Sequence, residues 1–319
     1  MTTLKLNDGE RIFTERRTAT FRKEQFDYIH TGIIDADGET WTTTELDEAN
    51  INQVWNQYRV KHGIPFPDEI IRLREYYGLS AAKMAEILGF GINQYRYYEN
   101  GEAPNESNAR IIIAIRDKET FLEFLDASRD KLGERDYLKI RKKVETLGTF
   151  PRATTAPNAR NGYVSYNADK VRKIVSYLIN KMGSVFVTKM NKLLFYCDFI
   201  SYRRTGFGMT GLKYIAMQYG PVPENWGTVY SSLEGIEMNE SILPNQSSGI
   251  KLDRSMDSVG SPSTLSESEQ QILEDVYERF KYMNARDVSL ESHKEKGWIE
   301  NHASKSIINY EYAFDLSIQ

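Results

Sequence analysis

Up to residue 43 the apolar and β-branched residues sit among charges without a helical period, as in Thr18–Phe26 and Tyr28–Ile34. Asp35-Ala36-Asp37-Gly38 is a turn signal ahead of Glu39-Thr40-Trp41-Thr42-Thr43, and together these stretches predict a small antiparallel sheet. The pattern then becomes helical. Leu46, Ile51, Val54, Trp55 and Tyr58 form an approximate apolar face from a cap at Thr44 to about Lys61, and Gly63-Ile64-Pro65-Phe66-Pro67 ends it. Pro67 suits a first helical position, with Asp68 and Glu69 favourable in the first turn. Ile70, Leu73 and Tyr77 make the stripe of that helix, and Gly78 closes it.

In the second half, Val171, Ile174, Val175, Leu178, Ile179 and Met182 recur at the spacing of a strongly amphipathic helix. Thr188 to about Arg203 is apolar nearly all round, which places it at the centre of a domain. Tyr214–Tyr219 reads as a short strand, Gly220-Pro221-Val222-Pro223 as a turn, and residues 244–263, rich in Ser, Gly and Pro, as a flexible loop. Ser266 with Glu269 is a capping box opening a helix through Ile272, Leu273, Val276, Tyr277 and Phe280, and Asn284 caps one more. There is no internal repeat and no heptad run. The expected fold is mainly α, with a small N-terminal antiparallel β-sheet, a helix-turn-helix bundle and a helical C-terminal domain carrying a short β element. Its expected parts are a β-plus-helix domain at 1–62, a helix-turn-helix at 63–128, a basic helix and linker at 129–162, and a last domain at 163–319.

Local residues sharpen the second part. Leu79 to Gly89 reads as a short helix capped by Ser80, with the small Ala85 where two helices cross and Gly89 permitting a tight turn. A second helix, Ile92 to Asn100, is expected to turn Ile92, Tyr95 and Tyr98 inward and Asn93, Gln94, Arg96 and Tyr97 outward. Asn or Gln can pair with adenine and Arg with guanine in a major groove, so the outward set has base-reading chemistry. Ser80 and Lys83 complete the expected DNA-binding set. A plain helical bundle fits the same spacing. Residues 61–128 are slightly acidic, and the run Arg129, Lys131, Arg135, Lys139, Arg141, Lys142 and Lys143 is either the missing phosphate contact or a solvated face.

Composition narrows the function classes. A net charge of −4 over 319 residues does not fit a bulk polyanion binder. The single cysteine, Cys197, lies in an apolar run, which excludes an internal disulfide and a cysteine-based zinc site and suggests a buried thiol. No stretch approaches a membrane span and the N-terminus has no apolar leader, so a cytoplasmic protein without membrane contact is expected. The four histidines do not stand at ligand spacing, and neither a phosphate loop nor a nucleophile motif is present. No metal, cofactor or catalytic residue is expected, and the chain reads as a non-enzyme.

Two resemblances add to this. Gly89 to Asn105, with Ile70–Arg74 before it and Ile111–Ile115 after it, resembles the recognition region of MqsA-type antitoxins, a branch of the Xre-like regulators. The resemblance covers about 64–126. It implies operator contact by an early Asn, matched by Asn93, and by an Arg four residues later, where this chain has Tyr97 with Arg96 beside it. That shift turns the guanidinium about 100° around the helix. That family carries a four-cysteine zinc domain in front. Residues 1–60 contain no Cys and are expected to be a metal-free counterpart held by Phe21, Phe26, Ile33, Trp41 and Trp55.

Across roughly 168–302, Lys192-Leu193-Leu194-Phe195-Tyr196, the turn Gln218-Tyr219-Gly220-Pro221-Val222, the helix from Leu265 to Phe280, and His293 followed by Trp298 occur in order. Together they resemble the SocA-like, or Panacea, antitoxin domain. The resemblance implies a domain that recognises toxins and, in one branch, an adaptor that delivers its partner to a protease. The nominated partner-binding residues are Tyr202, Arg203, Arg204, Phe207, Tyr219, Trp226, His293 and Trp298, with Tyr214 and Tyr230 as further candidate anchors. The resulting expectation is a homodimeric type II antitoxin whose partners are a cognate toxin and operator DNA. The alternative is a protease adaptor or phage or mobile-element interaction protein whose helix-turn-helix does not bind DNA.

Overall fold

The computed structural model describes residues 6–151, 153–242, 248–255 and 265–318. The fold is mainly α, with a three-stranded antiparallel sheet near the N-terminus and short strands in the C-terminal region. Two compact units divide the chain. One draws on residues 1–19, 27–53 and 157–319, the other on 20–26 and 54–156.

The chain opens with β1 (Arg11–Phe21), β2 (Glu24–Ile34) and β3 (Thr40–Trp41), followed by α1 (Thr44–His62). Thr43, one residue before the expected cap, accepts the Leu46 amide at 3.3 Å. β3 pairs with β2 only at Ile33 and Ile34. That leaves backbone groups further along β2, which α1 satisfies with side chains. Gln53 brackets Ile29 (3.0 and 2.9 Å) and Asn50 brackets Thr31 (2.8 and 3.0 Å). Of the residues expected to hold this region, Phe26 and Ile33 are buried and Phe21 and Trp55 half-buried, whereas Trp41 is exposed, because β3 is too short to be covered. The β1–β2 turn is formed by Arg22 and Lys23, both at positive φ (49° and 69°). Arg22 offsets that cost by donating to the carbonyls of Pro104 and Ala103 (2.8 and 2.9 Å).

The second unit continues with α2 (Pro67–Tyr77), α3 (Ala81–Leu88), α4 (Gln94–Glu99), α5 (Glu106–Ala114), α6 (Lys118–Ala127), α7 (Arg129–Leu132) and α8 (Glu134–Glu145). One core joins them, including Ile70, Leu73, Tyr77, Met84, Tyr95 and Phe121. Its tyrosines are buried with their hydroxyls satisfied: Tyr77 donates to the Ile115 carbonyl at 2.6 Å and Tyr95 to the Ile70 carbonyl at 3.0 Å. The basic α8 buries Tyr137, Ile140 and Val144 in the same core. Phe150, within the segment expected as linker, is buried there too.

The first unit resumes with α9 (Ala168–Met182), β4 (Val185–Phe186) and α10 (Val187–Thr205). β5 (Tyr214–Met217), β6 (Gly220–Pro223), α11 (Trp226–Ser231), β7 (Ile236–Ile242) and β8 (Ser248–Arg254) follow. α12 (Glu267–Phe280), α13 (Ala285–Ser292), α14 (Lys296–Asn301) and a 3-10 turn at Tyr310–Asp315 complete it. α10 is the hub, buried on almost every side as its apolar sequence requires. Inside it the Asp198 carboxylate accepts from the amides of Met209 and Thr210 and the hydroxyls of Thr210 and Tyr214, at 2.5–2.8 Å. Those bonds pin the following loop to the helix. Cys197 beside it is fully buried, and burial pushes its thiol well up.

Two expectations change here. Gly220–Pro223 is not the turn but the strand β6, paired with β5 from Tyr214↔Pro223 to Met217↔Gly220, so Gln218-Tyr219 makes the turn. The expected loop at 244–263 instead includes β8, paired antiparallel with β7 from Ile236↔Arg254 to Ile242↔Ser248. Residues 243–247 and 256–264 lie outside the described residues. The capping box of Ser266 and Glu269 and the Asn284 cap are both present.

Candidate functional site

In the first unit a cleft of about 530 Å³ opens between the N-terminal end of α10, the β5–β6 hairpin, the start of α11 and the β7–β8 hairpin. Val187, Ile215, Met217, Val222, Trp226 and Ile250 supply apolar walls. Thr188, Asn191, Lys192, Asn225 and Glu240 are the polar members. Tyr219 stands at the rim, 64% exposed.

The hairpin turn is braced from behind. Trp298 donates its indole N–H to the Met217 carbonyl at 2.8 Å. His293, which ends α13, stacks on Trp298 at 3.9 Å and 16°, and Trp298 stacks in turn on His302 at 4.4 Å. His293 also bonds the backbone at Gln218. Burial, aided by nearby Lys192, holds the His293 imidazole below its ordinary range. The two aromatic residues therefore hold the entry of the turn that projects Tyr219, at Met217 and Gln218. Among the described residues no three His, Cys, Asp or Glu side chains converge as a metal set would require.

The nominated partner-binding residues separate into two groups. Tyr219 and Trp226 line the cleft, with His293 and Trp298 behind the turn. Tyr202, Arg203, Arg204 and Phe207 lie at the other end of α10, about 15 Å away along the helix. There Tyr202 is 5% exposed and stacks on Tyr163. Arg203 donates to the Ile318 carbonyl at 2.9 Å, with burial lowering its guanidinium to about 10. Arg204 pairs with Asp275 at 2.7 Å, and Phe207 is half-buried. Tyr214 and Tyr230 are core, their hydroxyls bonded to Asp198 and Asn191.

Lys192 was not nominated. It is 1% exposed, lines the cleft, and burial alone lowers its ammonium to about 7. The sequence signal was present as a lysine midway along a helix that is apolar on every side. A lysine there either reaches a partner or must be sheltered at a cost.

In the second unit α3 and α4 are consecutive short helices joined through residues 89–93. Ser80 accepts the Lys83 amide at 3.2 Å and caps α3, and Gly89 (φ 71°) makes the turn. Tyr95 and Tyr98 face inward as expected, but Ile92 does not. The second helix begins at Gln94, two residues later than expected, so Ile92 sits in the turn and is 77% exposed. Asn93, Arg96 and Tyr97 are exposed beside it, as is Ser80. Gln94 and Lys83 are half-buried and engaged: Gln94 donates to Glu102 at 3.3 Å, and Lys83 pairs with Glu86 at 2.9 Å and Asp136 at 3.6 Å. Along α8, Arg135, Lys139 and Lys142 are exposed.

Comparison with known proteins identifies one segment. The family described as "Antitoxin SocA-like, Panacea domain" matches residues 190–299, from the first turn of α10 into α14. This segment thus carries an antitoxin-like domain, and it includes Lys192, the β5–β6 hairpin, His293 and Trp298. No curated protein and no solved structure matches the chain.

Proposed function

We propose that this chain is an antitoxin of a two-gene system, neutralising its toxin by direct contact through the C-terminal half and repressing its own operon through the helix-turn-helix. The observation that carries this reading is the antitoxin-like family match over residues 190–299, the segment that builds the braced Tyr219 turn and the cleft behind it. A projecting Tyr beside Met217 and Trp226 offers the aromatic and apolar anchors that dominate protein interfaces. Neither activity requires covalent chemistry, and we read the chain as a non-enzyme.

For DNA, support comes from the exposed Asn93, Arg96 and Tyr97 at the start of α4, with Arg135, Lys139 and Lys142 on α8 as further cations. A six-residue helix reads few bases, so operator recognition calls for two copies on half-sites about 34–36 Å apart, a homodimer. A gel shift with the chain's own promoter tests this half. Arg96→Ala should weaken binding at least tenfold, and affinity should fall steeply with salt. Unchanged binding in both Arg96→Ala and Asn93→Ala rejects the recognition helix. One observation favours a second reading, in which this face contacts protein: Ile92 and Tyr97 are both large exposed apolar side chains of this segment. That reading requires no shift of promoter DNA at any salt concentration.

A further inference from the structure

Most of the charged and amide side chains buried in α10 have structural partners among the described residues. Lys189 donates to the carbonyls of Phe280 and Met283 (2.9 and 2.7 Å) and closes the end of α12. Asn191 accepts the Tyr230 hydroxyl at 2.7 Å. Asp198 staples the loop after the helix, as described above. Lys192 is as buried as these, yet has no hydrogen bond or ion pair among the described residues. It is also the member of this group that, with Asn191, lines the cleft. The hairpin makes room for it: a Cβ on Gly220 would lie 2.7 Å from Lys192 Cε.

A cation placed without a counter-ion in an apolar surround is costly unless something outside completes it. The geometry points to a carboxylate site: Lys192 at the floor of the cleft pairs with a carboxylate whose apolar body lies between Val187, Ile215, Val222 and Trp226. The volume of about 530 Å³ falls within the roughly 300–1,000 Å³ usual for small-ligand sites. Glu240 also lines the cleft and repels a second negative charge, which selects a ligand with one carboxylate on an apolar group. Such a group is either a free organic acid or the C-terminus of a protein chain ending in an apolar residue. The assignment stands on the cleft itself and does not require that the chain neutralise a toxin.

Calorimetry on the full chain tests it with defined probes. Phenylacetate and phenylacetamide represent the free acid and its uncharged counterpart, and acetyl-Gly-Gly-Leu and its C-terminal amide represent the chain end. At least one acid should bind saturably at pH 6, at least tenfold more tightly than its amide. Lys192→Met should remove that preference. The acid's affinity should fall about tenfold or more between pH 6 and pH 9 as the amine, already near 7, loses its proton. His293, held below its ordinary range, and Glu240 and Tyr219 are the other ionisable groups at the cleft, and Lys192→Met retains all three. Phenylacetate binding identifies a free acid as sufficient, and binding of the peptide acid alone identifies a chain end. Absence of binding by both acids overturns the assignment, as does equal binding of acid and amide to the wild-type chain, a comparison independent of any variant.

Discussion

Burial of Lys192 couples the stability of the first unit to pH. Its amine sits near 7 in the folded chain against about 10.4 in an unfolded one. Between those values the unfolded chain binds more protons, so stability rises with pH across that window and the cost is fully felt below pH 7. Lys192→Met keeps the aliphatic stem and removes the charge. Denaturant melts should show it more stable than wild type by about 1–4 kcal/mol at pH 6, with the gap closing as pH approaches 10. A variant less stable than wild type at pH 6 would mean that Lys192 has a partner the account lacks. The neighbouring Tyr230→Phe removes the donor to a buried Asn191 oxygen and should cost about 1–3 kcal/mol in the same assay. At this scale burial was largely legible: Cys197, Leu193 and Phe199 sit where the all-round apolar pattern put them. Tyr202 and Arg203 were misleading, because an aromatic or guanidinium at a helix end looks the same in sequence whether it packs inward or waits for a partner.

At the scale of elements, the β5–β6 hairpin sets the cleft and exposes Tyr219. Gly220 has φ 103°, and a Cβ there would lie 2.2 Å from Ser292 Oγ as well as against Lys192. Gly220→Ala should therefore destabilise by more than about 2 kcal/mol in thermal or denaturant melts and loosen the turn. Helices with caps and clear periods, such as α9 and α12, were readable almost to their ends. The hairpin was not, since Gly-Pro-Val-Pro has turn composition. Both prolines lie on β6, the edge strand of the ribbon, whose outer side has no ladder for them to interrupt. Ile92 escaped for a related reason: its spacing to Tyr95 gives a helical face only if the helix has already begun, and the chain spends Gly89–Asn93 turning.

For the molecule as a whole, the two proposed activities fall on surfaces that separate in sequence and in unit. The braced Tyr219 turn belongs to the unit containing residues 157–319, and the Asn93–Tyr97 face to the unit containing 54–156. The boundary residues of these units were not legible, because residues 27–53 join the first unit and 20–26 the second through tertiary packing that periodicity does not encode. Single substitutions should therefore uncouple the activities. Co-expression of the full chain with the product of the adjacent reading frame, the proposed toxin, scored by growth and by co-purification, tests this most directly. Wild type and Arg96→Ala should both restore growth and retain the partner, while Tyr219→Asp, folded by circular dichroism, should do neither. Full rescue by Tyr219→Asp, or loss of rescue in Arg96→Ala with the fold intact, would contradict the assignment of neutralisation to the C-terminal half.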